Sequence, residues 1–224
     1  DLGSGTTERV SVSSDGRESN GRCWGPAISG NGRWVAFRSN ATNLDGSTNG
    51  LAQIYLHDRQ TNTTTLVSER QTGGQGGNGS SVDPGISKDG RYVVYESKAD
   101  NLVNGDSNGR KDIFLYDLVL RTNKLVSVRS NGVQGNGGSE DAGISADGKF
   151  IVFTSYARNL VRGDTNNKRD VFVHKRTTGK TERVSTRAGG KQSIGESWNG
   201  SISGNGRFVA FESNASNLVG ADRS

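Results

Sequence analysis

Two loops place oxygen-bearing side chains in the tightest chemical spacing of the chain. Asp106-Ser107-Asn108-Gly109-Arg110-Lys111-Asp112 and Asp164-Thr165-Asn166-Asn167-Lys168-Arg169-Asp170 both read D-x-N-x-x-x-D. Ligands on alternate residues of a tight loop, with a carboxylate further on, suit Ca²⁺. Asp106, Asn108, Asp112, Asp164, Asn166 and Asp170 are therefore the candidate metal set, with Ca²⁺ as the candidate cofactor. The competing reading is structural, because Asp and Asn also cap loops through Asx turns. Two carboxylates per loop are few for an ion that takes about six to eight oxygens. Arg110-Lys111 and Lys168-Arg169 would repel a cation, and the corresponding stretch Asp45 to Gln53 ends without an acid.

A second group offers contact rather than coordination. Trp24 and Trp198 occupy one register, filled elsewhere by Val82 and Glu140. An exposed Trp stacks on sugars or anchors a protein partner, whereas a half-buried one only packs between neighbouring units. His57, Tyr116 and His174 share another register. Successive copies of a register lie apart, so the two histidines are not expected to form a metal site or an acid–base pair. Trp24, Trp198, His57, Tyr116 and His174 make up the candidate binding set, expected around one concave face. A hydrolase would need a G-x-S-x-G elbow; the chain is read as carrying none and as non-catalytic. Cys23 aligns with Ser81, Ser139 and Ser197, and a single cysteine excludes an internal disulfide.

These residues must be held by short strands. The chain is only 30% hydrophobic, with 33 Gly and 2 Pro, yet its apolar residues fall in compact runs such as Trp34-Val35-Ala36-Phe37 and Phe150-Ile151-Val152-Phe153. Such runs between Gly/Asn/Asp/Ser clusters read as strands. Ile28, Ile86, Ile144 and Ile202 are each 58 residues apart, as are Gly32, Gly90, Gly148 and Gly206, and Asn43-Leu44 recurs at 101, 159 and 217. Each unit predicts a short first strand near Ile-Ser and a tight Asn-Gly or Asp-Gly hairpin. An alternating second strand, a third such as Asp112 to Tyr116, and a fourth such as Lys124 to Ser127 follow. Four antiparallel strands per repeat are the unit of a propeller blade.

The recurring I-S-x-[DN]-G-[RK]-aromatic-[VI]-[AV]-[FY]-x-S resembles the TolB-like propeller repeat, also called the WD40-like PD40 repeat. The stretches Asn101 to Leu115 and Asn159 to Val173 resemble its secreted bacterial subtype. This chain departs from the pattern in carrying Ile for the usual Trp and Gly, Lys or Ala for the usual Pro. The resemblance implies a propeller that binds other molecules rather than catalysing, and an extracellular or periplasmic location.

The expectation is an all-β propeller of four four-stranded blades of about 58 residues. The repeats run about 6–60, 61–119, 120–177 and 178–224, with 1–12 completing a seam blade that lacks its third strand, or the array continues into a larger ring. The function expected is a binding scaffold for a protein or glycan. The alternatives are a surface or fibre component that self-associates through blade edges, and the accessory propeller of a hydrolase. The net charge of +5 invites nucleic acid, but no basic block with interleaved aromatics supports it. Arg33, Arg91, Lys149 and Arg207 at the hairpin turns read as a solvated face. No run approaches the roughly 18 apolar residues of a membrane span.

Overall fold

The computed structural model describes residues 1–44 and 49–220. Residues 45–48, which include Asp45 of the first-repeat loop, and the last four residues lie outside the described part. Strands β1 (Cys23–Ile28), β2 (Trp34–Ser39), β3 (Gln53–Asp58) and β4 (Thr63–Leu66) form one antiparallel sheet in chain order. A second sheet holds β5 (Ser81–Ile86), β6 (Tyr92–Ser97), β7 (Asp112–Asp117) and β8 (Thr122–Leu125). A third holds β9 (Ser139–Ile144), β10 (Phe150–Ser155), β11 (Asp170–Lys175) and β12 (Lys180–Arg183). After a small hairpin of β13 (Thr186–Arg187) and β14 (Lys191–Gln192), β15 (Ser197–Ile202) and β16 (Val209–Ser213) open a fourth. The described residues contain no helix, and the sheets form an arc that does not close.

The first strand of each blade starts earlier than its residues suggest. Cys23-Trp24-Gly25-Pro26 and Ser81-Val82-Asp83-Pro84 look like turns, yet they pair with β2 and β6 around a register shift. The extra residue sits at positive φ in every copy: Gly25, Asp83, Asp141 and Asn199. A bulge accepts the left-handed residue and the proline that a regular strand would refuse. The fourth strands end two residues earlier than expected, although Val67, Val126 and Val184 still donate to the third strand at 2.8 Å.

Neighbouring blades are joined by three hydrogen-bonded seams. At the hairpin face, Gly30 N donates to Lys88 O, Lys88 N to Ala146 O and Ala146 N to Gly204 O, each at 2.9 Å. At the opposite face, Ser81 N donates to Ala52 O, Ser139 N to Lys111 O and Ser197 N to Arg169 O, at 2.7–2.9 Å. Near the outer edge, Thr64 Oγ1 donates to Val12 O and Thr181 Oγ1 to Val128 O, both at 2.5 Å, and Asn123 Nδ2 to Val67 O at 3.0 Å. Residues 1–12 accordingly lie along the first blade, and among the described residues they form no strand paired with β15 or β16.

Each of the first three blades stacks two aromatic rings in its own plane: Phe37 on Tyr55, Tyr95 on Phe114 and Phe153 on Phe172, with centroids 5.7–5.8 Å apart. Between blades the core is continuous, joining Ile54 and Leu56 to Val93, Tyr95 and Phe114. The turn arginines are not merely solvated. Arg33 grips Asp58 with Nε and Nη2 at 2.8 and 2.6 Å, and Arg91 grips Asp117 at 3.0 and 2.9 Å. In the third blade the acid is replaced by Lys175, and Lys149 turns instead to Asp147 at 3.0 Å.

Candidate functional site

The inner strands β1, β5, β9 and β15 are neighbours around the propeller axis. At the end away from the hairpins they carry four registers that meet: Trp24/Val82/Glu140/Trp198 on the inner strand, Gly25/Asp83/Asp141/Asn199 at the bulge, Arg38/Glu96/Thr154/Glu212 on the second strand, and Ala52/Lys111/Arg169 just before the third. The cross-strand pairing of Trp24 with Arg38 and of Trp198 with Glu212 fixes this arrangement.

From the second blade onward, residues of these registers together with Glu196 form a chain of opposite charges, a ladder in which Thr154 stands uncharged in the Glu96 position of the third blade. Lys111 Nζ lies 2.7 Å from Glu96 and 3.1 Å from Glu140. Arg169 continues to Glu140 at 3.8 Å and Glu196 at 3.2 Å. Asp141 N donates to Glu96 Oε1 at 2.7 Å. Trp198 is held on both sides, its Nε1 donating to Glu212 at 2.9 Å and its ring lying 4.6 Å below the Arg169 guanidinium. Burial pushes the Glu96 carboxyl up, and Lys111 works against that shift.

The ladder breaks between the first and second blades. Ala52 stands where Lys111 and Arg169 would be, Val82 where Glu140 would be, and Arg38 where Glu96 would be. The Arg38 guanidinium stacks on Trp24 at 4.7 Å. Its Nε is buried without a hydrogen-bond partner, and no carboxylate among the described residues pairs with it. A half-buried guanidinium lying on an indole, with no carboxylate paired to it among the described residues, is suited to receive one at its outer nitrogens.

Of the five candidate binding residues, Trp24 and Trp198 lie half-buried on this rim, and the other three lie away from it. His57, Tyr116 and His174 are buried at 2–7% exposure. His57 Nδ1 lies 2.9 Å from Thr64 Oγ1 and His174 Nδ1 2.9 Å from Thr181 Oγ1. They belong to the outer seam between blades and reach no concave face. Arg38, Lys111 and Arg169 are the rim residues that composition alone does not single out, because charges near turns are common; the readable signal is that Lys111 and Arg169 share one register and Arg38 stands in the register of Glu96.

The candidate metal residues do converge within each loop, but onto one another. Gln134 Nε2 donates to Asp106 Oδ1 at 2.6 Å and to Asp112 Oδ2 at 3.1 Å, and Asn108 Nδ2 donates to Asp112 Oδ2 at 2.8 Å. In the third blade Gln192 holds Asp164 at 3.0 Å and Asn166 holds Asp170 at 3.4 Å. Among the described residues no group of three or more His, Cys, Asp or Glu stands together to ligate a metal. Gly105-Asp106-Ser107-Asn108-Gly109 does spell G-x-S-x-G, contrary to the expectation that the chain lacks it. Ser107 nevertheless sits in this exposed loop with no helix behind it, and both histidines are in other blades, so the nucleophile-elbow context is missing. Cys23 replaces a serine of the repeat, its Sγ lying 3.4 Å from Ser39 Oγ where Ser81 and Ser97 pair at 2.9 Å.

Solved structures share this architecture. TolB from Acinetobacter baumannii superimposes with a TM-score of 0.51 at 21% identity, covering 91% of this chain and 42% of that one. A TolB protein from Agrobacterium tumefaciens gives 0.52 at 16%, covering 86% and 58%. The fold is that of a TolB-like β-propeller. A structure of prolyl endopeptidases gives 0.54 at 12% identity, covering 86% of this chain and 26% of that one. The chain thus spans about half the length of the TolB structures it matches. No protein-family profile matches the chain, and no curated protein matches it. No helix among the described residues is long and apolar enough to cross a membrane.

Proposed function

We propose that this chain is a non-catalytic binding propeller of an extracellular or periplasmic protein, and that it takes an acidic protein segment at Trp24 and Arg38. The observation that supports the reading is the broken charge ladder. Lys111 and Arg169 each have two acids within 4 Å, whereas Arg38 has an indole and no acid. Trp and Arg are the residues that dominate protein-binding hot spots, and here they are stacked on each other beside the propeller axis. A carboxylate from a partner would pair with the outer nitrogens of Arg38 and restore the alternation of charges.

Selection of displayed random peptides on the immobilised chain tests this directly. Enriched peptides are expected to carry Asp, Glu or a free C-terminus, and to lose at least about tenfold in affinity to Arg38→Ala, the value of one charge-assisted hydrogen bond. Ligands that bind Arg38→Ala as well as the parent chain would overturn the site. Enrichment only of neutral sugars in a parallel glycan screen, retained by Arg38→Ala and lost by Trp24→Ala, would replace the acidic segment with a glycan.

A second reading draws on the length comparison. The match to prolyl endopeptidases covers 26% of that chain, as a propeller portion of a larger hydrolase would. An accessory role of this kind would place the same rim on the path of a peptide substrate.

A further inference from the structure

The acidic loops of the second and third blades share their Gln and Asn hydrogen bonds but differ in the charge at the end of the fourth strand. In the third blade Arg183, at the end of β12, enters between the two carboxylates. Its Nη1 lies 3.5 Å from Asp164 Oδ1 and 3.4 Å from Asp170 Oδ2, and its side chain is only 8% exposed. In the second blade the residue in that register is Leu125, at the end of β8. No cationic side chain among the described residues pairs with Asp106 or Asp112. Asp106 is 9% exposed, and its Oδ2 is buried with no hydrogen-bond partner.

Two adjacent buried carboxylates without a counter-charge are costly. The amides of Gln134 and Asn108 supply hydrogen bonds but no charge. Burial pushes Asp106 up, and burial together with the Asp106 charge pushes Asp112 to about 6. The neighbouring bases do not compensate, since Lys111 is committed to Glu96 and Glu140 on the rim. Ser107, Gly109 and Arg110 are exposed, so the loop is open to an entering ion.

We propose that the Asp106–Asp112 pair of the second blade binds a divalent cation of the Ca²⁺ class, in the place that the Arg183 guanidinium fills in the third. A divalent ion neutralises both carboxylates. The free Asp106 Oδ2 and the Asp112 carboxylate are its anionic ligands, while Gln134 stays in place, its Oε1 accepting from Ser107 N at 3.1 Å. Asp112 Oδ1 already accepts from Ser127 Oγ at 2.5 Å, so water completes most of the shell, as the irregular geometry of Ca²⁺ permits and the strict octahedron of Mg²⁺ does not.

The test is calorimetric titration of the chelator-treated chain with CaCl₂ and separately MgCl₂, with thermal unfolding at each end point. The parent chain is expected to bind one Ca²⁺ and to unfold several degrees higher in its presence. Asp106→Asn, nearly the same shape, should lose both effects, and Asp164→Asn in the third blade should keep them. Leu125→Arg, which brings the guanidinium of the third blade into the second, should lose the Ca²⁺ response. A parent chain that binds no Ca²⁺, or an Asp106→Asn chain that still binds it, would overturn the proposal. A parent chain that ignores Ca²⁺ but gains stability as pH falls below about 6 would overturn it in favour of a proton held by the pair.

Discussion

The indole of Trp34 lies so close on Gly90 of the next blade that a β-carbon there would sit 2.1 Å from Trp34 Cδ1. Tyr92 covers Gly148 and Phe150 covers Gly206 in the same way. The glycine of each hairpin therefore does two things: it takes the positive φ of its turn, 79° at Gly90, and it leaves room for the ring of the preceding blade. Gly32 takes the same conformation, but its nearest neighbour would be the flexible end of Arg59 at 3.5 Å.

Comparison of two alanine variants separates those roles. Gly32→Ala should cost about 1–2 kcal/mol, the price of a left-handed non-glycine residue. Gly90→Ala should cost a further 1–3 kcal/mol or so, because the indole must move out of a packed seam. Urea unfolding of both variants against the parent chain measures the difference. Equal losses would mean that the ring–glycine contact contributes nothing to blade docking.

Arg183 gives a second comparison. Replacing it with Leu, the residue of the second blade, leaves Asp164 and Asp170 buried without their cation. Breaking a buried pair by removing one partner typically costs about 3–5 kcal/mol. Arg183→Leu should be destabilised to that extent at pH 7. The loss should shrink on acidification, because burial and the Asp170 charge already raise Asp164 and protonation removes the repulsion. Unfolding curves at pH 7 and pH 5 check both parts.

Much of this architecture can be read from residue spacing. The 58-residue step, the Asp-Gly and Asn-Gly hairpins and the second and third strands all stand in the structure where periodicity puts them. The inner strand was harder, because Gly25-Pro26 and Asp83-Pro84 are turn residues used inside a bulge, and local propensity argues against a strand there. The two candidate sites differ for a physical reason. The rim position of Trp24 and Trp198 is readable because an aromatic residue in a variable register stands out. The histidines misled because a short strand does not show which neighbouring segment covers it. Arg38 was hidden because its meaning depends on Lys111, Glu96 and Glu140, which are brought together only by stacking of the blades.

The buried histidine of the third blade sets a pH dependence. Burial lowers His174 to about 4, against about 6.5 in an unfolded chain. Between those values the unfolded chain takes up a proton that the folded chain refuses, so stability falls as pH drops from about 6.5 to 4. The effect of this one group is on the order of 3 kcal/mol. Asp112, raised to about 6, acts in the opposite sense, contributing stability at low pH that is lost as pH rises through about 6. His174→Asn removes only the first term. Relative to the parent chain it should be more stable at pH 4 than at pH 7 by that amount, as measured by urea unfolding at the two pH values.

The Arg38–Trp24 pair is the proposed docking point for a carboxylate. The direct measurement is the dissociation constant of one selected acidic peptide for the parent chain, for Arg38→Ala and for Arg207→Ala, side by side at low and physiological salt. Arg207 lies at the hairpin face, remote from the rim, and controls for net charge. The account predicts at least about a tenfold loss for Arg38→Ala, with little change for Arg207→Ala. Equal affinity for all three chains, or equal losses in both variants that vanish with salt, would contradict it.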